Sequence, residues 1–129
     1  MKLLLDTNAY SAMRDGDAKV GNLIRRAESV LMSAIVVGEL LQGFHNGTRY
    51  VRNVDELDEF LKIPQVTFLP VTRGTCIRYG LVASALRRAG KPIPTNDVWI
   101  AAHAVDAAAT LLSQDAHFDS VAGLDRIRW

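Results

Sequence analysis

The sequence has a single cysteine, Cys76, in 129 residues. That excludes an intramolecular disulfide framework and a thiolate zinc cluster. No apolar run approaches the roughly 20 residues a membrane helix requires. The three consecutive leucines ahead of Asp6 are too short for a secretory signal. Together these absences predict a soluble protein of the reducing cytoplasm, with no membrane partner. Charge of one sign is also missing, since 15 basic and 14 acidic residues leave a formal +1. A strongly basic nucleic-acid binder is not indicated, so any polyanion must be held by local patches or by metal ions. Neither G-x-G-x-x-G nor G-x-x-x-x-G-K-[ST] occurs, which leaves dinucleotide and P-loop nucleotide binding without support. A D-x-D phosphatase would need an acid where Asn8 stands. A receiver domain would need an aspartate ending strand three, where Pro70-Val71 stands instead.

What the chain has is apolar content, at 49% of residues, and a length that suits one domain over residues 1–129. Leu3-Leu4-Leu5 is an apolar run without alternation, the pattern of a strand covered on both faces. It stops at Asp6-Thr7-Asn8. A short helix over Ala9 to Met13 is expected next, then one carrying Val20, Leu23, Ile24 and Ala27, then a strand at Val30-Leu31-Met32. Ser33 can cap a helix whose apolar stripe is Val37, Leu40, Leu41 and Phe44. Another helix covers Val51 to Lys62, with Val54, Leu57 and Leu61 inward, and Pro64 stops it.

The third strand runs from Val66 to Val71. A long helix from Gly74 to Ala89 carries Ile77, Leu81 and Ala85, and the helix opened by Thr95-Asn96-Asp97 turns Val98, Ala101, Ala102, Val105 and Ala109 inward. Thr110 to Ser113 forms a fourth strand, and Arg126 to Trp129 a weak fifth. Strands separated by helices imply right-handed crossovers, hence a three-layer α/β/α sandwich with a mainly parallel sheet of four to five strands.

Four acids fall on one rim of that arrangement. Asp6 ends strand one and Asp115 follows strand four. Asp97 opens the helix that leads into strand four, and Glu39 lies early in the helix after strand two, opposite its apolar stripe. In open α/β sheets, ligands bind beyond the carboxyl ends of the strands. Singly, each acid also suits a helix cap, a helix first turn or solvent. Gathered together they repel, and a hard cation such as Mg²⁺ or Mn²⁺ neutralises them. Such an ion serves metal-assisted phosphodiester cleavage, activating a water and stabilising charge on the leaving oxygen.

The motifs D-T-N at Asp6, S-A-I-V-V-G-E-L-L-Q-G around Glu39, I-P-T-N-D-V-W-I-A-A-H-A around Asp97 and L-L-S-Q-D-A-H-F-D-S-V around Asp115 resemble the PIN-domain family. The likeness runs from Met1 nearly to Trp129 and is nearest the VapC-like toxin ribonucleases. It implies a Mg²⁺-dependent endoribonuclease, usually dimeric and held inactive by a cognate antitoxin that places a basic side chain among the acids. The alternative is a catalytically silent PIN-like scaffold that binds RNA or protein. Carried over to this sequence, the acidic site is Asp6, Glu39, Asp97 and Asp115, with Asp6 and Asp97 as direct metal contacts. Thr7, Asn8 and Ser113 fill supporting positions. Asp119 reads as an exposed turn acid, and Arg87, Arg88 and Lys91 as a solvated helix end. His103 is off the Asp97 face of its helix, and His117 is expected to pack or hydrogen-bond beside Phe118 rather than act in catalysis.

Overall fold

The computed structural model describes residues 1–129. Its elements are β1 (Lys2–Leu5), α1 (Thr7–Arg14), α2 (Ala18–Arg26), β2 (Ser29–Ser33), α3 (Ala34–His45), α4 (Tyr50–Leu61), β3 (Val66–Leu69), α5 (Arg73–Arg88), α6 (Thr95–Asp106), β4 (Thr110–Leu112) and β5 (Asp125–Ile127), with a 3₁₀ turn at Ala116–Ser120. The five strands form one sheet in the order β3-β2-β1-β4-β5. Every pairing is parallel, including that of the edge strand β5. The crossovers advance from β1 to β3 and then return to β4. Right-handed connections therefore put α1 to α4 on one face and α5 and α6 on the other.

The central strand explains the arrangement. Leu3, Leu4 and Leu5 are fully buried because helices cover both faces of β1, so no polar residue is tolerated until the strand ends. Leu4 pairs with Leu31 and Leu111, placing the carboxyl ends of β1, β2 and β4 side by side. At those ends stand Asp6, Ser33 and Ser113, three of the few buried polar residues.

The helices depart from the simple stripes at identifiable places. Val36, not Val37, is the buried residue of α3 in its first turn, and Phe60 joins Leu57 in the core from α4. The largest correction concerns α5. Thr75, Val82 and Leu86 face inward, whereas Ile77 and Leu81 are 54% and 58% exposed. The helix is apolar on two sides, so periodicity does not say which side packs against α6 and the core. α6 is buried nearly all round, with Ala101, Ala102 and Ala104 at or near zero exposure, because it is enclosed between α5, α3 and β4. Small side chains allow that close approach. No helix is long and apolar enough to cross a membrane.

Candidate active site

β1 ends at Asp6, which is also the N-cap of α1. Its Oδ1 accepts the Ala9 amide at 2.7 Å. The capping role and the rim position therefore coexist in one carboxylate, which is only 8% exposed. Ser113, fully buried just past β4, accepts the Asp115 amide at 3.0 Å, and its side chain acts on the Asp6 carboxyl to favour the charged form. One hydroxyl thus stands between the acids that follow two adjacent strands. Asp115 caps the 3₁₀ turn, its Oδ1 accepting the His117 amide at 3.3 Å.

From the far side of the rim, Glu39 of α3 reaches across. Its Oε1 accepts the Thr7 hydroxyl at 2.7 Å and its Oε2 the Asn96 amide at 3.3 Å. Asp97, in the first turn of α6, completes the set. Asp6, Glu39, Asp97 and Asp115 line one cleft of about 240 Å³, with Thr7 and Asn8 beside them and Ile100 and Phe118 as the apolar wall. All seven residues singled out from the sequence thus meet at one place. Six of them line the cleft, and Ser113 supports it from beneath.

The electrostatics agree with the crowding. Burial pushes the Asp6 carboxyl above the ordinary range; Ser113 and the Ala9 amide oppose this, while Asp97 and Asp115 add repulsion. Asp97 is also raised, first by burial, with His117 opposing and Glu39 and Asp115 adding to the shift. A cation in the cleft would reverse the penalty on both.

His117 stands nearer the acids than its expected place beside Phe118 implies. It does pack on Phe118, at 4.8 Å between ring centroids. Its Nε2 also lies 2.8 Å from Asp97 Oδ2, and its Nδ1 2.9 Å from Asp115 Oδ1. The Nε2 contact is close but not aligned as a hydrogen bond. Ligand atoms of Asp97, Asp115 and His117 lie within 4.8 Å of one another, a span suited to an ion. The available signal was local: position i+2 after an aspartate whose side chain turns the backbone back on itself.

The other residues weighed from the sequence fall outside the cleft. Asp119 is exposed and forms a two-pronged pair with Arg126, both contacts at 2.8 Å, which holds its carboxyl below the usual range. Arg126 in turn donates to the Ser113 carbonyl at 2.9 Å, tying β5 to the site.

His103 is a buried structural histidine. Nε2–H donates to the Pro70 carbonyl at 3.1 Å, and the Ser33 hydroxyl lies 2.7 Å from Nδ1. Burial lowers its pKa, with the Pro70 bond and Asp106 opposing. A depressed histidine pKa contributes stability above the unfolded-state value of about 6.5, which is lost as pH falls through the folded value. Wild-type protein should therefore lose melting temperature between pH 7 and pH 5 more steeply than His103→Gln, whose starting stability is lower. Parallel slopes in a thermal scan would contradict this.

A parallel α/β sheet with oxygen donors gathered on its carboxyl rim defines the class: a fold with a candidate site for a hard cation and an anionic substrate. The chain belongs to the PIN domain family, whose profile matches residues 3–124. It is 28% identical to Ribonuclease VapC1 of Haemophilus influenzae (strain R2866), covering 100% of this chain and 98% of that protein. It is 29% identical to Ribonuclease VapC2 of Rickettsia felis, over 89% of this chain and 87% of that protein. Among solved structures, it superposes on a chain of VapBC2 from Rickettsia felis bound to a promoter DNA fragment with a TM-score of 0.87, at 25% identity over 100% of this chain and 99% of that one. VapBC-1 from nontypeable Haemophilus influenzae gives 0.87 and 25%, over 100% and 98%.

Proposed function

We propose that this protein is a divalent-metal-dependent endoribonuclease, the toxin of a toxin–antitoxin pair, whose residues 1–129 act as one nuclease domain in the cytoplasm. One observation carries the reading: four carboxylates supplied by β1, α3, α6 and the segment after β4 line a single cleft. The ribonuclease relatives and the VapBC neighbours support the activity and the antitoxin partner. Retention of all four acids argues against a silent scaffold.

The donor set fits Mg²⁺ or Mn²⁺, since the four acids offer only oxygen and His117 adds at most one nitrogen, Cys76 is elsewhere and exposed, and burial disfavours the uncompensated anions of Asp6 and Asp97. Asp6 and Asp97 would hold the ion directly, with Asp115 and Glu39 acting through water or toward a second ion. When bound, the metal supplies positive charge to the phosphate oxygens and acidifies a water. The protein's own part is positioning. The Ala9 amide keeps the Asp6 carboxylate from swinging away, Ser113 favours its charged form, Thr7 and Asn96 aim Glu39 across the cleft, and His117 spans Asp97 and Asp115. Incubation with total cellular RNA and Mg²⁺ should produce discrete internal cuts whose ends map to defined sites. Intact RNA after prolonged incubation would overturn the assignment.

The expected homodimer has a candidate face on α5. Exposed Ile77 and Leu81 lie beside an apolar groove of about 480 Å³ that Leu81, Val82, Ala85, Leu86 and Val121 help to line. Leu81→Asp should convert a dimer to a monomer in light scattering; an unchanged mass would place the interface elsewhere.

A further inference from the structure

Lys19, Arg26 and Arg128 are three of the ten basic side chains with no carboxylate within 4 Å, and these three stand around one groove. Lys19 and Arg26 project from one face of α2, with Asn22 and Leu23 between them. Arg128 and Trp129, just beyond β5, close the other side of a shallow groove of about 360 Å³. Positions i and i+7 stand about 10 Å apart along a helix. No side-chain carboxylate lines this groove. The basic side chains that do lie within 4 Å of a carboxylate are Arg14, Arg52, Lys62, Arg78 and Arg126, at 3.5, 3.1, 3.2, 3.9 and 2.8 Å. In a chain whose formal charge is only +1, three uncompensated cations around one groove are a local excess.

The groove also contains a flat apolar surface. Trp129 is partly buried against the core, and its remainder lines the groove. Two contacts join this region to the acids. Gln114, next to Asp115, donates Nε2–H to the Trp129 carbonyl at 3.1 Å, and the Ser113 amide donates to the Ile127 carbonyl at 3.0 Å.

An acidic cleft repels the phosphates on either side of the one being cut, so a strand of RNA needs cations close by. Non-specific single-strand binding combines backbone cations with aromatic stacking, which is the composition found here. We propose that this groove is a subsite for single-stranded RNA leading away from the acidic cleft, with Lys19, Arg26 and Arg128 on phosphates and Trp129 stacked on a base. The proposal rests on the ribonuclease reading above.

Binding is read without cutting by titrating the metal-free Asp97→Asn protein with a fluorescently labelled oligouridylate at several salt concentrations. Adding Lys19→Ala, Arg26→Ala and Arg128→Ala should weaken binding at least tenfold. It should also flatten the slope of log K against log salt by about 2, at roughly 0.7 per single-strand phosphate contact. Trp129→Ala should weaken binding about tenfold with the salt slope retained. Lys19, Arg26 and Arg128 are exposed, so melting temperature should not move with the triple substitution. Unchanged affinity and slope in the triple variant would overturn the proposal. So would loss of antitoxin binding with RNA binding intact, which would assign the groove to a protein partner. If wild-type protein cuts no RNA under Mg²⁺, the nuclease reading fails by itself, while the titration still decides the groove.

Discussion

Replacing Asp97 by Asn should abolish RNA cleavage and at the same time raise the melting temperature of the metal-free protein. The two effects share one cause. Asp97 is a part-buried carboxylate whose ionised form is disfavoured by desolvation and by Glu39 and Asp115. Asparagine keeps the shape and removes the charge, relieving the repulsion in the absence of metal. It also removes a candidate direct contact to the ion, so the loss of activity should exceed the roughly 10–100-fold cost of deleting an outer-shell partner. A rate assay beside a thermal melt in EDTA checks both. Lost activity with a lowered melting temperature would indicate a folding defect rather than a missing ligand. Wild-type cleavage by the variant would remove Asp97 from the site.

Adding Mn²⁺ or Mg²⁺ to the wild-type protein should produce the second large effect. A ligand present at 100 times its Kd stabilises by about 2.7 kcal/mol, which for a domain of this size raises Tm by roughly 10 °C. The pH dependence has a definite sign. Asp6 and Asp97 have folded-state pKa values raised above the ordinary 3.8. As pH rises above that value, the unfolded chain loses these protons first, so the metal-free protein loses stability through the window up to the raised values. Metal binding needs both carboxylates ionised, so the metal-induced rise in Tm should be largest at neutral pH and shrink as pH falls through the same window. Equal shifts at pH 4 and pH 7, or none at millimolar metal, would contradict a site built on these acids. Asp6→Asn should lose most of the shift, and it should lose less of its capping contribution to α1 than an alanine would, since asparagine is itself a good N-cap.

Much of this geometry could be read from residue order alone because parallel sheets impose a strong rule. A strand that is apolar on both faces must end where polarity resumes, and the helix before a parallel strand must begin on the rim where the previous strand ended. Those two constraints bring Asp6, Glu39, Asp97 and Asp115 together without any distance information. Features decided by tertiary choice were not accessible in the same way. α5 has two apolar faces, and its orientation follows from Val82 and Leu86 packing on the core, which leaves Ile77 and Leu81 exposed. β5 is short and polar at Asp125 and Arg126, so the sequence signals it only weakly, over Arg126 to Trp129, and the strand itself is Asp125–Ile127. It is held by pairing with β4 and by the contacts of Arg126 with Asp119 and Ser113. His117 could be placed beside Phe118 from local spacing, but its approach to Asp97 depends on how the turn after β4 packs against the start of α6. No periodicity records that.

In the proposed function the four acids share divalent metal within one cleft. Crystals soaked in Mn²⁺ and measured at a wavelength where manganese scatters anomalously would test this directly. The account predicts a single strong peak between Asp6 and Asp97, with carboxylate oxygens at about 2.1 Å, or two peaks in the same cleft with Asp115 and Glu39 nearby. A peak elsewhere on the protein and none among these four side chains would contradict it.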